Sequence, residues 1–288
     1  MLAQARRLAV LDLIRKQGVA EVQQLAEHFQ CSAATIRNDL NELERRGLVQ
    51  RAHGGAVSLD YGREDDTPMR VRQTLMAKEK AEIAKLAAEL VQDGDLIMVD
   101  GSSTVLELVR RIKDRRHLTV VTNAINVVSE LSGISSTMVI VVGGVLRHPS
   151  LTLVGGDAED AIRRFRVGKA FVSTRGVTIE RGLTDTSVEE ARIHAAMLEA
   201  GTKAYLLADS SKFGVDVFTS AAPLGKLTAV ITDRRPAEPF LQEFRRLGVL
   251  VVHNRTELQG LLRSQQRVDE GTGTGEQAPP HSATGSSG

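Results

Sequence analysis

Four residues near the amino-terminus have side chains that can read DNA bases, and they follow a serine that can begin a helix. They are Ala33, Thr35, Arg37 and Asn38, after Ser32. Arg can pair with guanine and Asn with adenine through two hydrogen bonds, while Ala and the Thr methyl group can contact the thymine methyl. The serine hydroxyl can accept a hydrogen bond from a first-turn amide. The set predicts a recognition helix whose amino-terminal half enters the major groove.

Two more candidates for DNA contact, Arg51 and His53, follow this helix. Their segment, residues 48–57, has the apolar and glycine pattern of a hairpin with Gly54-Gly55 near its bend. Side chains on such a wing can reach phosphate or the minor groove. An ordinary helical hairpin with a solvated charged face is the alternative, and the presence of a wing favours DNA binding.

A run of small polar residues has the composition of a phosphate-binding loop. It reads Asp100-Gly101-Ser102-Ser103-Thr104, directly after an apolar run and directly before a helical pattern. The glycine permits a tight turn, the three hydroxyls can donate hydrogen bonds, and the following helix directs its free amides at the loop. These features predict a site for a phosphate dianion.

Further polar groups follow the next apolar runs. They are Thr122 and Asn123 after the second run, Gly143, Gly144 and Arg147 after the third, Arg175 after the fourth, and Lys212 after the fifth. Glycines allow close approach of a ligand, and the cations can pair with phosphate. Each cluster taken alone is better explained as a turn, a helix cap or a solvated cation. Their shared position after apolar runs favours one effector-binding site.

The elements that must position these residues alternate along the chain. Apolar runs predict strands at 96–99, 118–122, 138–142, 169–173, 204–208, 228–232 and 249–252. Helical patterns occur at 77–91, 104–112, 124–131, 158–165, 188–200 and 239–247. Such alternation predicts an α/β domain with a mostly parallel sheet, in which ligands bind beyond the carboxyl ends of the strands.

Composition divides the chain into four parts. We predict an α+β winged helix-turn-helix domain over residues 1–57, a polar linker over 58–76, an α/β effector-sensing domain over 77–255 and a disordered tail over 264–288. The tail is rich in Gly, Ser, Thr and Gln and has too few apolar residues to offset the entropy of ordering.

Composition also limits the class of protein. The 288 residues carry a net charge of +1, which excludes a non-specific polycation, and the single cysteine excludes an intramolecular disulfide. The sequence shows no signal peptide pattern and no apolar run of membrane length. We therefore expect a cytoplasmic protein that does not bind membranes.

Two strings in the amino-terminal part resemble the DeoR/GlpR family of bacterial sugar-metabolism repressors. They are TIRNDLNELE, residues 35–44, and GLVQRAHGGA, residues 47–56. The family usually has a second Arg in place of Asn38 and an aliphatic residue in place of Cys31. The difference at position 38 bears on which operator sequence is read, whereas Arg37 matches the family.

The resemblance extends to about residue 255 and implies how the second domain works. In this family that domain is similar in fold to ribose-5-phosphate isomerase and glucosamine-6-phosphate deaminase, and it senses phosphorylated sugars. Family motifs match residues 100–104, 122–123, 143–144 and 209–214, the last including Lys212. Arg175 stands where the family has a small residue, so it bears on effector choice.

An isomerase-like enzyme with an accessory amino-terminal module is the alternative function. The related enzymes have an acidic string where this chain has Thr174-Arg175-Gly176, which contains no carboxylate. Asp185, Glu189 and Glu190 are interpreted as acids that favour a helix start. We find neither metal-ligand spacing nor a nucleotide-binding motif, so no catalytic residue, metal or cofactor is predicted.

The predicted function is that of a repressor of carbohydrate genes that a phosphorylated sugar releases from double-stranded operator DNA. One recognition helix spans only a few base pairs, so specific binding needs at least two readers. We therefore expect a homodimer or homotetramer.

Overall fold

The computed structural model describes residues 3–17, 19–46, 48–52, 54–58 and 68–272. Its amino-terminal elements are α1 (Ala3–Gln17), β1 (Val19–Glu21), α2 (Val22–His28), α3 (Ala33–Arg45), β2 (Val49–Ala52) and β3 (Gly55–Ser58). The pair α2–α3 and the antiparallel hairpin β2–β3 are the predicted helix-turn-helix and wing, which are confirmed. Strand β1 pairs with β3 and was not predicted.

A small apolar core and one buried carboxylate fix α3 in this unit. The core comprises chiefly Val10, Leu11, Ile14, Leu25, Ile36, Leu40 and Leu43. Asp39 is buried and accepts hydrogen bonds from Arg6 Nε at 2.6 Å and Arg7 Nε at 2.9 Å. Helix α1 therefore covers the face of α3 that carries Asp39, through apolar packing and ion pairs. The opposite face of α3 is exposed.

Residues 68–272 form an α/β unit. Its helices are α4 (Met69–Thr74), α5 (Ala77–Ala88), α6 (Ser103–Arg111), α7 (Ile125–Leu131), α8 (Gly156–Arg163), α9 (Val188–Ala200), α10 (Glu238–Leu247) and α11 (Arg255–Thr272). Its strands are β4 (Leu96–Val99), β5 (Thr119–Thr122), β6 (Met138–Val141), β7 (Val145–Arg147), β8 (Thr152–Val154), β9 (Val167–Val172), β10 (Gly176–Thr178), β11 (Gly182–Asp185), β12 (Gly201–Leu207), β13 (Thr219–Ala222), β14 (Ala229–Ile231) and β15 (Leu250–Val252).

The seven predicted strands form one parallel sheet in the order β15-β14-β12-β9-β4-β5-β6. From β4 the chain proceeds through β5 to β6 toward one edge, and from β9 it proceeds through β12 and β14 to β15 toward the other. The order of strands therefore reverses between β4 and β9. In open α/β sheets this reversal opens a crevice at the carboxyl ends of the strands, where ligands bind.

Apolar cores cover both faces of the sheet. One contains Ile83, Leu106, Val127 and Leu258, from α5, α6, α7 and α11. The other contains side chains of α8, α9 and α10, namely Ile162, Met197 and Phe244. With helices on both faces, the strand ends are the part of the sheet that remains open for a polar site.

Smaller antiparallel pieces complete the unit and were not predicted. Strands β7 and β8 form a hairpin, and β10, β11 and β13 form a separate sheet. Both follow strands of the main sheet, so they extend the wall around its carboxyl edge.

The boundaries of two predicted segments need correction. The linker predicted over residues 58–76 contains α4, whose Met69 and Val71 are buried. The tail predicted to be disordered from residue 264 begins inside α11, where Gln265 Nε2 donates a hydrogen bond to the Tyr205 hydroxyl at 2.7 Å. Contacts with the folded unit thus order residues whose own composition favours disorder. Residues 59–67 and 273–288 lie outside the described residues.

None of the helices that the structure describes is both long and apolar enough to cross a membrane.

Candidate functional site

A polar cavity of about 180 Å³ lies at the carboxyl ends of β4, β5, β9 and β12. Seven of the predicted effector-site residues line it, namely Gly101, Ser102, Ser103, Thr104, Asn123, Arg175 and Lys212. They come from four loops that are far apart in sequence. Drug-sized ligands occupy pockets of roughly 300–1,000 Å³, so this smaller cavity suits a small polar metabolite.

The start of α6 supplies hydrogen-bond donors to this cavity. Ser102 is the N-cap, and its hydroxyl accepts a hydrogen bond from the Val105 amide at 3.1 Å. The first-turn amides of Ser103 and Thr104 have no acceptor within the helix, as at any helix start, and both residues line the cavity. A Cβ atom on Gly101 would lie 2.3 Å from the Thr152 side chain, so only glycine lets the loop approach β8 this closely.

Two predicted residues support the cavity from behind its lining. Asp100 is buried and accepts hydrogen bonds from the amides of Ser102 at 2.9 Å and Ser173 at 2.7 Å. Thr122 is also buried, and its hydroxyl accepts a hydrogen bond from the Ala124 amide at 3.1 Å. These two side chains hold the loops after β4, β9 and β5 in place.

Three other predicted residues lie outside the lining. Gly143 and Gly144 follow the edge strand β6, and Gly144 packs against β8 and α8, where an added Cβ would lie 2.7 Å from the Val154 carbonyl oxygen. Arg147 lies 3.8 Å from a Glu190 carboxylate oxygen. Gly144 thus serves close backbone packing in this structure, whereas an added Cβ on Gly143 would meet no atom within 4 Å. Arg147 faces a carboxylate and does not line the cavity.

A largely buried histidine between two carboxylates forms part of the cavity wall, and the sequence analysis did not predict it. His194 Nδ1 lies 2.7 Å from Asp185 Oδ2, and its Nε2 lies 3.3 Å from Asp100 Oδ2. Burial opposes protonation, but the two carboxylates outweigh it and raise the pKa of His194 well above its ordinary value. The cavity therefore has an imidazolium in its wall near neutral pH.

The acids interpreted as helix-start residues divide between two roles. Glu189 accepts a hydrogen bond from the Ser187 hydroxyl at 2.8 Å, as expected at a helix start. Asp185 and Glu190 instead line the cavity. Asp185 is the last residue of β11 and directly precedes the turn into α9. This position between a strand and a helix was the sequence signal for a site residue.

Two cations from the predicted linker and the following helix were also missed. Arg72 of α4 and Lys80 of α5 both line the cavity. Burial, together with nearby Lys212, lowers the pKa of Lys80 to about 7. Burial and nearby Arg175 lower the pKa of Arg72 to about 10, so its guanidinium remains charged at neutral pH. In the sequence, the apolar residues Met69 and Val71 beside Arg72 were the available signal that this part of the predicted linker packs on the folded unit. The structure buries both side chains.

The lining leaves unused hydrogen-bonding groups of both kinds. Arg72 Nε and Nη2 are buried and have no acceptor among the described residues. The Asn123 Oδ1 atom is buried and has no donor there, while its Nδ2 donates to the Leu153 carbonyl oxygen at 3.0 Å. Unpartnered buried groups are costly, and a ligand with an acceptor for the guanidinium and a donor for the amide oxygen would satisfy them.

Cations outnumber anions around the cavity. Arg72, Arg175, Lys212 and protonated His194 face Asp185, Glu190 and Asp209, and Lys80 adds a further cation when it is protonated. Burial lowers the pKa of Lys212, and Asp209 opposes that shift. Within the part of the chain that the structure describes, no group of three or more His, Cys, Asp and Glu side chains can hold a metal ion. This balance favours an organic anion.

The other candidate surface is the exposed face of α3. Ser32 caps this helix by accepting a hydrogen bond from the Thr35 amide at 3.1 Å. Arg37 and Asn38 are exposed, and Ala33 and Thr35 are half-buried beside them. Ile36, Leu40 and Leu43 point into the core instead. The residue types that can read bases thus share the solvent face of the helix.

Of the two wing residues predicted to contact DNA, the structure describes one, Arg51. Arg51 lies on β2 and donates a hydrogen bond through Nη1 to the Gly55 carbonyl oxygen at 3.1 Å. This hydrogen bond holds the Arg51 side chain against the hairpin. His53 lies outside the described residues.

Comparisons with known proteins agree with both halves of this arrangement. The family description "DeoR-like helix-turn-helix domain" matches residues 6–61, and "DeoR C terminal sensor domain" matches residues 75–234. The chain belongs to the DeoR family. It is a transcriptional regulator with a DNA-binding helix-turn-helix, and the alternative of an isomerase-like enzyme finds no support among its relatives.

Two DeoR relatives show the extent of the similarity. The transcriptional repressor AccR of Agrobacterium fabrum is 34% identical over 80% of this chain and 89% of its own. The glycerol-3-phosphate regulon repressor of Escherichia coli is 30% identical over 82% of this chain and 93% of its own. Among solved structures, ribose 5-phosphate isomerase A of Methanocaldococcus jannaschii is similar at a TM-score of 0.36 and 15% identity, over 48% of this chain and 55% of that one.

Proposed function

We propose that this DeoR regulator represses carbohydrate-metabolism genes and leaves its operator when a phosphorylated sugar fills the cavity. The observation that carries the proposal is the combination of a helix start, several cations and an unused amide oxygen in one small cavity. The α6 amides and the cations suit a phosphate dianion, and the Asn123 oxygen suits a sugar hydroxyl. One relative is named for a glycerol-3-phosphate regulon, which agrees with this ligand class.

The direct test is a thermal-shift screen of the purified chain. The panel comprises sn-glycerol 3-phosphate, pentose and hexose phosphates, their unphosphorylated forms and inorganic phosphate. A ligand that binds only the folded state raises its stability with the logarithm of ligand concentration. We expect at least one phosphorylated compound to stabilise the chain and its unphosphorylated form to have no effect. Stabilisation by the unphosphorylated forms alone would refute the proposed ligand class.

We further propose that the repressor works as a homodimer or homotetramer in the cytoplasm, with amino-terminal reader domains joined to the α/β sensor units of residues 68–272. A single recognition helix contacts too few base pairs for specific affinity, so two readers must bind adjacent half-sites. The expected result in analytical ultracentrifugation is a species of at least two chains. A monomer that binds its operator with full specificity would contradict this arrangement.

Arg37→Ala is expected to weaken operator binding by about 1–3 kcal/mol and to relax specificity at one base pair. Arg37 is exposed on α3 beside Asn38, where it can reach a base edge in the major groove. The measurement is a titration of operator DNA and of single-base variants at fixed salt. Arg111→Ala, which removes an exposed arginine at the end of α6, controls for the loss of one positive charge. Equal losses in the two variants would exclude base reading by Arg37.

Effector binding is expected to take up protons above pH 7. The pKa of Lys80 is about 7, so at pH 7.5 this amine is mostly neutral, and an incoming dianion stabilises its charged form. Uptake should approach about three-quarters of a proton per site, and affinity should fall as the pH rises above 7. The phosphate is then already a dianion, because its second pKa is about 6.

Calorimetry in buffers of different ionisation enthalpy measures this uptake. Lys80→Arg keeps the cation but fixes its charge, so the uptake should be lost while binding persists. Undiminished uptake in that variant would assign the proton to another group.

A further inference from the structure

The helix that enters the sensor unit from the reader side contributes a side chain to the cavity. Helix α4 begins at Met69, eleven positions after Ser58, where β3, the last strand of the reader, ends. It is docked by the buried side chains of Met69 and Val71 and by a hydrogen bond from the Met69 amide to the Pro149 carbonyl oxygen at 2.9 Å. Helix α4, the first described element after the reader, thus packs on the sensor unit beside the cavity.

Arg72 is the residue of α4 that reaches the cavity. Its Nε and Nη2 atoms are buried without an acceptor among the described residues, although carboxylates of Asp100 and Glu190 stabilise its charge from a distance. A buried guanidinium presents a planar pair of donors that fits two oxygens of a phosphate. The acceptor that this arrangement lacks is therefore an anion in the cavity.

The far end of α4 depends on the cavity as well. Lys80 Nζ donates hydrogen bonds to the carbonyl oxygens of Arg72 and Leu75, the latter at 2.6 Å, and so caps the end of the helix. Met76, at the junction with α5, has a φ of 50°, a left-handed conformation that is unfavourable for a residue with a side chain. Met76 and Lys80 both line the cavity. A strained junction next to a short helix is a natural point of bending.

We propose that Arg72 binds the anionic group of the effector and that effector binding thereby stabilises the docked position of α4, which ties the sensor to the reader. This inference rests on the proposed function of the cavity as a phosphosugar site. A ligand shifts a conformational equilibrium only when it binds one state better than the other. Docked α4 supplies Arg72 to the ligand and undocked α4 does not, so the ligand favours docking.

The effect reaches the reader through the covalent chain. When α4 is docked, the point at which the chain from the reader joins the sensor is fixed. A fixed joining point limits the positions that the reader domains of an oligomer can take. Two readers must match the spacing of two half-sites on DNA. An effector that fixes α4 can therefore release DNA without contacting the reader.

The test compares Arg72→Gln with Arg70→Gln in the full chain. Glutamine keeps an N–H donor near the position of Nε but is shorter and removes the charged guanidinium group. Arg70 is an exposed arginine on the same helix. The probes are inorganic phosphate and the phosphorylated compounds of the screen. Calorimetry gives affinity, and hydrogen exchange of the amides of residues 71–75 reports the docking of α4.

In the wild-type chain we expect the probe to slow exchange in α4. Arg72→Gln should bind the probe about tenfold or more weakly, and saturating probe should no longer protect α4. Operator binding without probe should be retained, and Arg70→Gln should behave as the wild type in every measurement. Arg72→Lys, which keeps the charge but not the planar fork, should recover part of the affinity and serves if the glutamine variant does not fold.

Each other outcome has a definite meaning. Wild-type affinity in Arg72→Gln overturns the role of Arg72 while leaving the cavity a phosphosugar site. Weaker binding with undiminished protection of α4 at saturation overturns the coupling through α4. Failure of the wild-type chain to bind any probe removes the proposed function, and the inference with it.

Discussion

Replacing Asp100 with alanine is expected to lower the free energy of unfolding of the sensor domain by about 3–5 kcal/mol, the usual effect of removing one partner from a buried charge pair. The Asp100 side chain is 1% exposed and lies 3.3 Å from the His194 ring. It also accepts hydrogen bonds from the amides of Ser102 and Ser173. Alanine would leave both amides and part of the imidazolium charge buried without a partner.

Urea unfolding of the full chain, followed by circular dichroism and tyrosine fluorescence, measures this loss. Tyr205 is a suitable probe because it stacks on Phe171 in the core of the sheet, with ring centroids 5.0 Å apart. Asp114→Ala is the matched control, since that carboxylate is 73% exposed and should contribute little. A loss for Asp100→Ala no larger than that of the control would show that the buried charge pair is not needed for stability.

Replacing Lys212 with methionine is expected to weaken effector binding by about 2–5 kcal/mol, as for removal of one partner from a desolvated charge pair. Lys212 follows β12, lines the cavity and has Asp209 beside it. Methionine keeps the volume of the side chain and removes the ammonium group that would face the phosphate. Operator affinity without effector should not change, because the recognition helix lies in the other domain.

Two titrations separate these effects. Calorimetry with the best phosphorylated compound of the screen measures affinity, and release of operator DNA by the same compound measures the response. Lys226→Met removes an exposed lysine from the same domain and controls for net charge. If the Lys212 variant released operator at the wild-type effector concentration, Lys212 would have no part in the site.

Local sequence patterns determine most of the scaffold. The helical spacing of apolar residues around Ile36 and Leu40 placed Arg37 and Asn38 on the opposite face of α3, as the structure confirms. The seven apolar runs became the seven strands of one parallel sheet. In such a sheet the carboxyl ends of all strands share one edge, so loops after adjacent strands must meet there. That rule predicts that the loops carrying Gly101, Asn123 and Lys212 lie at the same edge of the sheet, and the structure brings them together in one cavity.

The order of strands lies outside what local patterns determine. The glycine loop after β6 was predicted to join the site in the same way as the loop after β4, but β6 is at the edge of the sheet and Gly144 packs against β8 and α8. The strand order also places the loops after β4 and β9 side by side at the point where the order reverses. A sequence read without pairing information cannot distinguish the loops at this point from those at the edge.

The sequence by itself determined the two functional parts of this protein, a helix that presents base-reading side chains and a parallel sheet with polar loops at its strand ends. Both follow from local periodicity and from the chemistry of small polar residues after strands. Arg175 and Lys212 were predicted from the sequence, but only the tertiary structure added the other cations of the cavity. His194, Arg72 and Lys80 project from helices, and the direction in which a helix side chain points depends on how that helix packs against the rest of the fold.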